Sequence, residues 1–150
     1  MGQYHYICNK TKHEYLNPHG FGDGLKLMEF GMSMGGTMTA LAILLSCSNG
    51  RGGGDARIDS DHPLIEVVGS WAGDEIAIIG DYTEEGDIAG WDSKNNPWHS
   101  DDKDNWADIS AVMRELIEAD GEVKFENDEW ILRGLDGKEE KRTSIIRVDA

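Results

Sequence analysis

The stretch Phe30 to Cys47 (FGMSMGGTMTALAILLSC) contains no charged residue, and its second half constrains the fold more than any other part of the chain. From about Met38 to Ser46 the residues support a helix, with Thr37 placed to accept a backbone amide at its start. Apolar residues fall on every side of that helix. A helix without a polar face must be covered all round, so it belongs at the centre of a core. The other solution is a membrane span, which needs roughly 20 apolar residues. The continuous apolar run here is only Ala40 to Leu45, and Gly31, Ser33, Gly35, Gly36, Thr37 and Thr39 dilute the rest, so a buried core helix is expected.

A core of that kind is within reach of 150 residues, of which 39% are hydrophobic and 29% charged. One domain is the expectation. Cys8 and Cys47 have neither the density of a disulfide scaffold nor the spacing of a structural zinc site. With no basic-then-apolar leader at Met1 to Tyr6, they read as reduced thiols of a cytoplasmic protein.

Net charge is -15 and unevenly distributed. Lys10, Lys12, Lys26 and Arg51 against Glu14, Asp23 and Glu29 leave residues 1–54 at +1. The rest of the chain therefore carries -16. Residues 55–108 alone hold 15 acids against Arg57, Lys94 and Lys103, a balance of -12. Such a field repels nucleic acid and anionic membranes and attracts cations and basic protein surfaces. Solubility alone is the plainer reading of the same acidity.

Along the chain, Tyr4–Cys8 and His13–Leu16 read as a hairpin turned at Asn9-Lys10-Thr11-Lys12. Leu25–Phe30 fits a short helix or a strand. Ile65–Trp71 and Glu75–Gly80 read as a second hairpin through Ala72-Gly73-Asp74, with Ile65, Val67 and Trp71 on one face. Residues 81–105 form a long acidic loop without periodicity. A helical stripe of Trp106, Ile109, Met113, Leu116 and Ile117 follows, with Asn105 as its cap and Gly121 as its stop. Val123–Glu126, Glu129–Arg133 and Thr143–Val148 read as three strands. The expected fold is a single α+β domain, mainly antiparallel sheet with two main helices packed on it.

The long loop is the first candidate site. Its acids are interleaved with Tyr82, Trp91 and Trp98. Asp87, Trp91, Asp92, Trp98, Asp101, Asp102 and Asp104 form the partner-binding set, carboxylates steering a basic surface while an indole fills a pocket in it. In the opposite arrangement Trp91 and Trp98 fold inward and pin the loop. Oxygen ligands among Asp92, Asn95, Asn96, Asp101, Asp102 and Asp104 lack the spacing of a helix-loop-helix calcium site. Asp59, Asp61 and His62, or His99 beside Asp101, are sparse for zinc or manganese. Gly20-Phe21-Gly22-Asp23-Gly24 departs from a dinucleotide fingerprint because Leu25 stands at its last glycine. Asn49–Gly54 reads as a flexible linker, with an anion nest armed by Arg51 as the alternative. Cys8, with His5 and His13 near in sequence, is a candidate nucleophile only if the strands bring an imidazole to an activated thiol.

Met1-Gly2-Gln3-Tyr4, the run from Gly22 to Phe30 (GDGLKLMEF) and Trp71-Ala72-Gly73-Asp74 together resemble uncharacterised small proteins of bacteria and their phages, over most of the first 85 residues. The resemblance implies a mobile-element or accessory origin and brings no known catalytic residue.

These readings lead to a non-enzymatic acidic interaction protein, an inhibitor of a phage or mobile element that docks on the basic surface of a nucleic-acid-binding protein. It would work without a cofactor, direct nucleic-acid contact or a membrane. The alternative is a small metal-dependent hydrolase or nucleotide-binding enzyme using loop carboxylates with His62 or His99. Catalysis is thus left open, with the balance against it.

Overall fold

A computed structural model describes residues 2–88, 96–99, 105–121, 123–126, 129–133 and 139–143. The chain begins with strands β1 (His5–Asn9) and β2 (Glu14–Leu16), paired antiparallel with Ile7 opposite Leu16. Asn9 organises the connection between them. Its Oδ1 accepts from the Lys12 amide at 2.8 Å, and its Nδ2 donates to Asp74 at 2.8 Å.

Next comes a 3-10 turn, Pro18–Phe21, closed by Gly22 at φ 77°. The glycines there serve close packing. A Cβ on Gly20 would lie 2.6 Å from the Ser110 Cβ, and one on Gly24 would strike the buried Glu29 carboxylate. Helix α1 (Leu27–Gly31) is short, and Glu29 accepts from the Lys26 amide at its start at 3.0 Å.

Helix α2 (Thr37–Leu45) is the expected central helix, with Thr37, Ala40, Ile43 and Leu44 buried and only Ala42 exposed. Its cap differs from the expectation. Thr37 is the first helical residue, and the acceptor is Asp23, whose Oδ2 takes the Thr37 amide at 2.9 Å and the Thr37 hydroxyl at 2.6 Å. Burial raises the Asp23 pKa, and the bonds from Thr37 oppose that shift.

The hairpin expected from Ile65–Trp71 does not form. Ile65–Val67 is a 3-10 turn, and the backbone continues as turns into Trp71, whose amide reaches the Leu44 carbonyl at 3.0 Å. The reason is anchoring to α2, since the Gly69 amide likewise donates to the Ile43 carbonyl at 3.0 Å. Trp71 is fully buried and its indole N–H donates to Glu14 at 2.8 Å.

Strand β3 (Ile76–Gly80) pairs antiparallel with β1 instead. The sheet order is β3-β1-β2-β4, where β4 (Ala107–Asp108) lies parallel to β2, so this sheet is mixed. Helix α3 (Ser110–Asp120) starts later than the sequence pattern indicated. Asn105 is not its cap and Trp106 is not on its stripe. The β4 pairing holds Ala107 and Asp108 extended, and Trp106 turns to stack on His13 at 4.7 Å. Gly121 ends the helix at φ 90°, as expected.

A second sheet follows in the order β5-β6-β7, an antiparallel meander of β5 (Val123–Glu126), β6 (Glu129–Arg133) and β7 (Glu139–Thr143). Its last strand lies earlier than the expected Thr143–Val148, because β6 pairs from Glu129 opposite Thr143 back to Arg133 opposite Glu139. Residues 144–148 lie outside the described part.

The main core joins Ile7, Leu16, Phe21, Phe30, α2, Trp71, the Met113, Leu116 and Ile117 face of α3, and Val123 and Phe125 of β5. A smaller cluster of Cys8, Ile79 and Trp106 occupies the other face of the first sheet, with Tyr6, Tyr15, Ala77, Ile88 and Trp98 against it. The result is one α+β domain, and no helix among the described residues is long and apolar enough to cross a membrane.

Candidate functional site

The two faces of β3 receive unequal cover. Ala77 and Ile79 point into the smaller cluster beneath Ile88 and Trp98. Ile76 and Ile78 point the other way, onto the Ile7 face, and remain 37% and 44% exposed. Tyr4 and Tyr82, at the Gly80 end of β3, are also exposed, and the Asp81 amide donates to the Tyr4 carbonyl at 2.8 Å.

Acids flank this strip in the sequence. Residues 55–88 contain ten carboxylates and a single base, Arg57. Asp74 and Glu75, just before β3, are held by Lys12 and Lys10 respectively, the latter pair at 3.2 Å. Beyond Gly80 come Asp81, Glu84, Glu85 and Asp87 without an intervening base. Glu84, Glu85 and Asp87 are exposed. The turn that carries them is closed by Asp87, whose carboxylate accepts the Glu84 amide at 2.8 Å.

Of the partner-binding set read from sequence, Asp87 thus projects from the Gly80 end of the strip. Trp98 takes the inward arrangement: its ring stacks on Tyr6 at 3.9 Å and 8°, and its indole N–H donates to the Ile79 carbonyl at 2.8 Å. It clamps the strip from behind. Trp91, Asp92, Asp101, Asp102 and Asp104 lie outside the described residues.

The remaining candidates resolve differently. Asn49–Gly54 is a built nest, not a loose linker: the amides of Gly50, Arg51 and Gly52 converge on one oxygen of Asp55 at 2.9, 3.0 and 3.1 Å. The anion is therefore internal, and those bonds pull the Asp55 pKa down. Asn49 closes the loop by pairing with the Ala56 backbone at 2.8 and 3.0 Å. Between this loop, α2 and the end of α3 lies an open cleft of about 800 Å³, with Arg57 engaging Asp120 at its rim.

Cys8 is fully buried and its Sγ lies 3.7 Å from the Tyr6 carbonyl. Burial pushes its pKa strongly up, the reverse of an activated thiolate. Burial also lowers the His5 pKa, against the pull of Asp81. Among the described residues no three His, Cys, Asp or Glu side chains are placed to hold a metal. His62 Nδ1 accepts the Leu64 amide at 3.0 Å, a local turn bond.

The feature missed from sequence is the uncovered Ile76 and Ile78. The sequence reading pairs Glu75–Gly80 with Ile65–Trp71, whereas among the described residues β3 has β1 as its one strand neighbour. The available signal was composition: Ile-Ala-Ile-Ile is apolar at consecutive positions and lies between acids on both sides. Comparison with protein-family models, curated proteins and solved structures found no match to this chain.

Proposed function

We propose that this chain is an acidic docking protein that covers the basic surface of a nucleic-acid-binding protein, as an inhibitor of mobile-element origin would. The observation that carries the reading is the concentration of charge: residues 55–88 hold ten carboxylates and one arginine, that arginine engages Asp120, and Lys12 and Lys10 pair with two of the ten, Asp74 and Glu75. A field of this kind accelerates encounter with a basic partner and disfavours direct binding of nucleic acid. Asp87 supports it by closing the exposed acidic turn, while Asp101, Asp102 and Asp104 extend the same charge along the sequence.

Competition is the test. A basic nucleic-acid-binding protein is loaded with fluorescent duplex, and this chain is added at low and at high salt. Release of the duplex at low salt, weakened by replacing Asp101, Asp102 and Asp104 with Asn, is expected. Unchanged duplex binding at low salt would refute the reading.

A further inference from the structure

The geometry points to β3 as a docking edge that accepts an extended, basic segment of the partner as an added strand, apolar residues opposite Ile76 and Ile78 and lysines or arginines beyond Gly80. This rests on the function proposed above and specifies how contact is made.

The argument starts from hydrogen-bond direction. In the β1–β3 ladder the Lys10 amide bonds to Glu75 and the Asp81 amide to Tyr4. Bonding alternates along an antiparallel pair, so residues 75, 77, 79 and 81 face β1 while 76, 78 and 80 face away. β3 is the end strand of its sheet. The Gly80 carbonyl is taken by the Thr83 amide and hydroxyl, at 3.1 and 2.7 Å. The amides and carbonyls of Ile76 and Ile78 have no partner among the described residues, and their spacing is that of one strand-addition site.

An edge left open in this way is normally blunted by a lysine, a proline or a bulge. β3 has none of these; its sequence is Ile-Ala-Ile-Ile-Gly, with two exposed isoleucines. Charge selects the occupant. The acids before β3 are engaged by Lys10 and Lys12, whereas those after it, from Asp81 to Asp87, have no base in their segment. An incoming strand thus meets an apolar register first and negative potential past Gly80. A second copy of this chain, at -15, is disfavoured at the same edge by that potential.

The experiment uses the full chain and a synthetic peptide in which alternating valine and threonine precede a lysine run. Affinity is measured by fluorescence anisotropy for the wild type, Ile78→Pro, Ile78→Lys and Glu84→Gln with Asp87→Asn. Ile78→Pro removes an outward amide while leaving the β1 ladder its donors, and edge strands tolerate proline. Ile78→Lys guards against a folding defect in the proline variant, each fold being checked by the protection of the Tyr6 and Cys8 amides. Both Ile78 variants are expected to lose tenfold or more in affinity, and the carboxylate pair several-fold, with a flattened salt response. A peptide with glutamates for lysines should not bind.

Equal binding by wild type and both Ile78 variants would overturn the strand edge yet leave acidic docking standing, provided the carboxylate variant still weakens binding. Loss of neither would remove both. Slow exchange of the Ile76 and Ile78 amides in the free monomer, or concentration-dependent dimerisation that protects them, would also overturn the proposal by showing the edge already occupied.

Discussion

Asp23 reaches 14 residues along the chain to cap α2, and it does so from inside the core. A carboxylate takes this position because the α2 start, Gly36-Thr37, brings an amide and a hydroxyl together, and a Cβ on Gly36 would lie 2.5 Å from that carboxylate. Asp23→Ala strands both donors and should lower stability by about 2 kcal/mol in urea denaturation, with Asp23→Asn losing less because one acceptor remains. Asp55 works at the surface by the same chemistry. Its folded pKa is lowered by three amides, so the clamp is complete above the ordinary carboxylate range and is lost as pH falls through the folded value. Amide exchange at Gly50, Arg51 and Gly52 should therefore accelerate below that range relative to Ala40, and Asp55→Ala should show the fast exchange at neutral pH.

Elements in this protein are fixed as much by what they touch as by their own pattern. Gly69 has φ 76° and would press a Cβ into the Ser46 carbonyl, so Gly69→Ala should cost more than about 2 kcal/mol and loosen Trp71 from the end of α2. Trp98→Ala should cost about 2–3 kcal/mol by removing the Tyr6 stack and the bond to Ile79, measured by thermal unfolding and near-ultraviolet dichroism. These contacts explain which parts were legible in the sequence. The first hairpin, α2, the end of α3 and strands β5 and β6 follow local periodicity and turn residues, and the structure agrees with them. Ile65–Trp71 has the composition of a strand, but the α2 carbonyls at Ile43 and Leu44 capture its backbone into turns. Trp106 fits a helical stripe by spacing alone until the parallel pairing with β2 draws its neighbours into the sheet. Of the candidate site, the acidity was readable and the inward packing of Trp98 was one of the two arrangements read from the sequence, whereas the exposed edge of β3 depends on long-range pairing that no local pattern encodes. The runs 22–30 and 71–74 have structural roles: Gly24 and Glu29 pack together, Trp71 fills the core, and Asp74 ties the turn before β3 to Asn9 and Lys12 of the first hairpin.

For the whole molecule, the balance of -15 sets the limits on partners. A basic protein approaches with the field, and nucleic acid and anionic lipid approach against it. Charge alone gives no orientation; in the proposed docking mode the exposed isoleucines and the acids that follow them supply it. The most direct test of the account is a nuclear magnetic resonance titration of the labelled chain with the valine-threonine-lysine peptide, reading which amides shift. The account predicts that the largest shifts fall between Asp74 and Ile88 and shrink as salt is raised. Shifts spread evenly over every acidic segment, or centred on the cleft around Arg57, would contradict it.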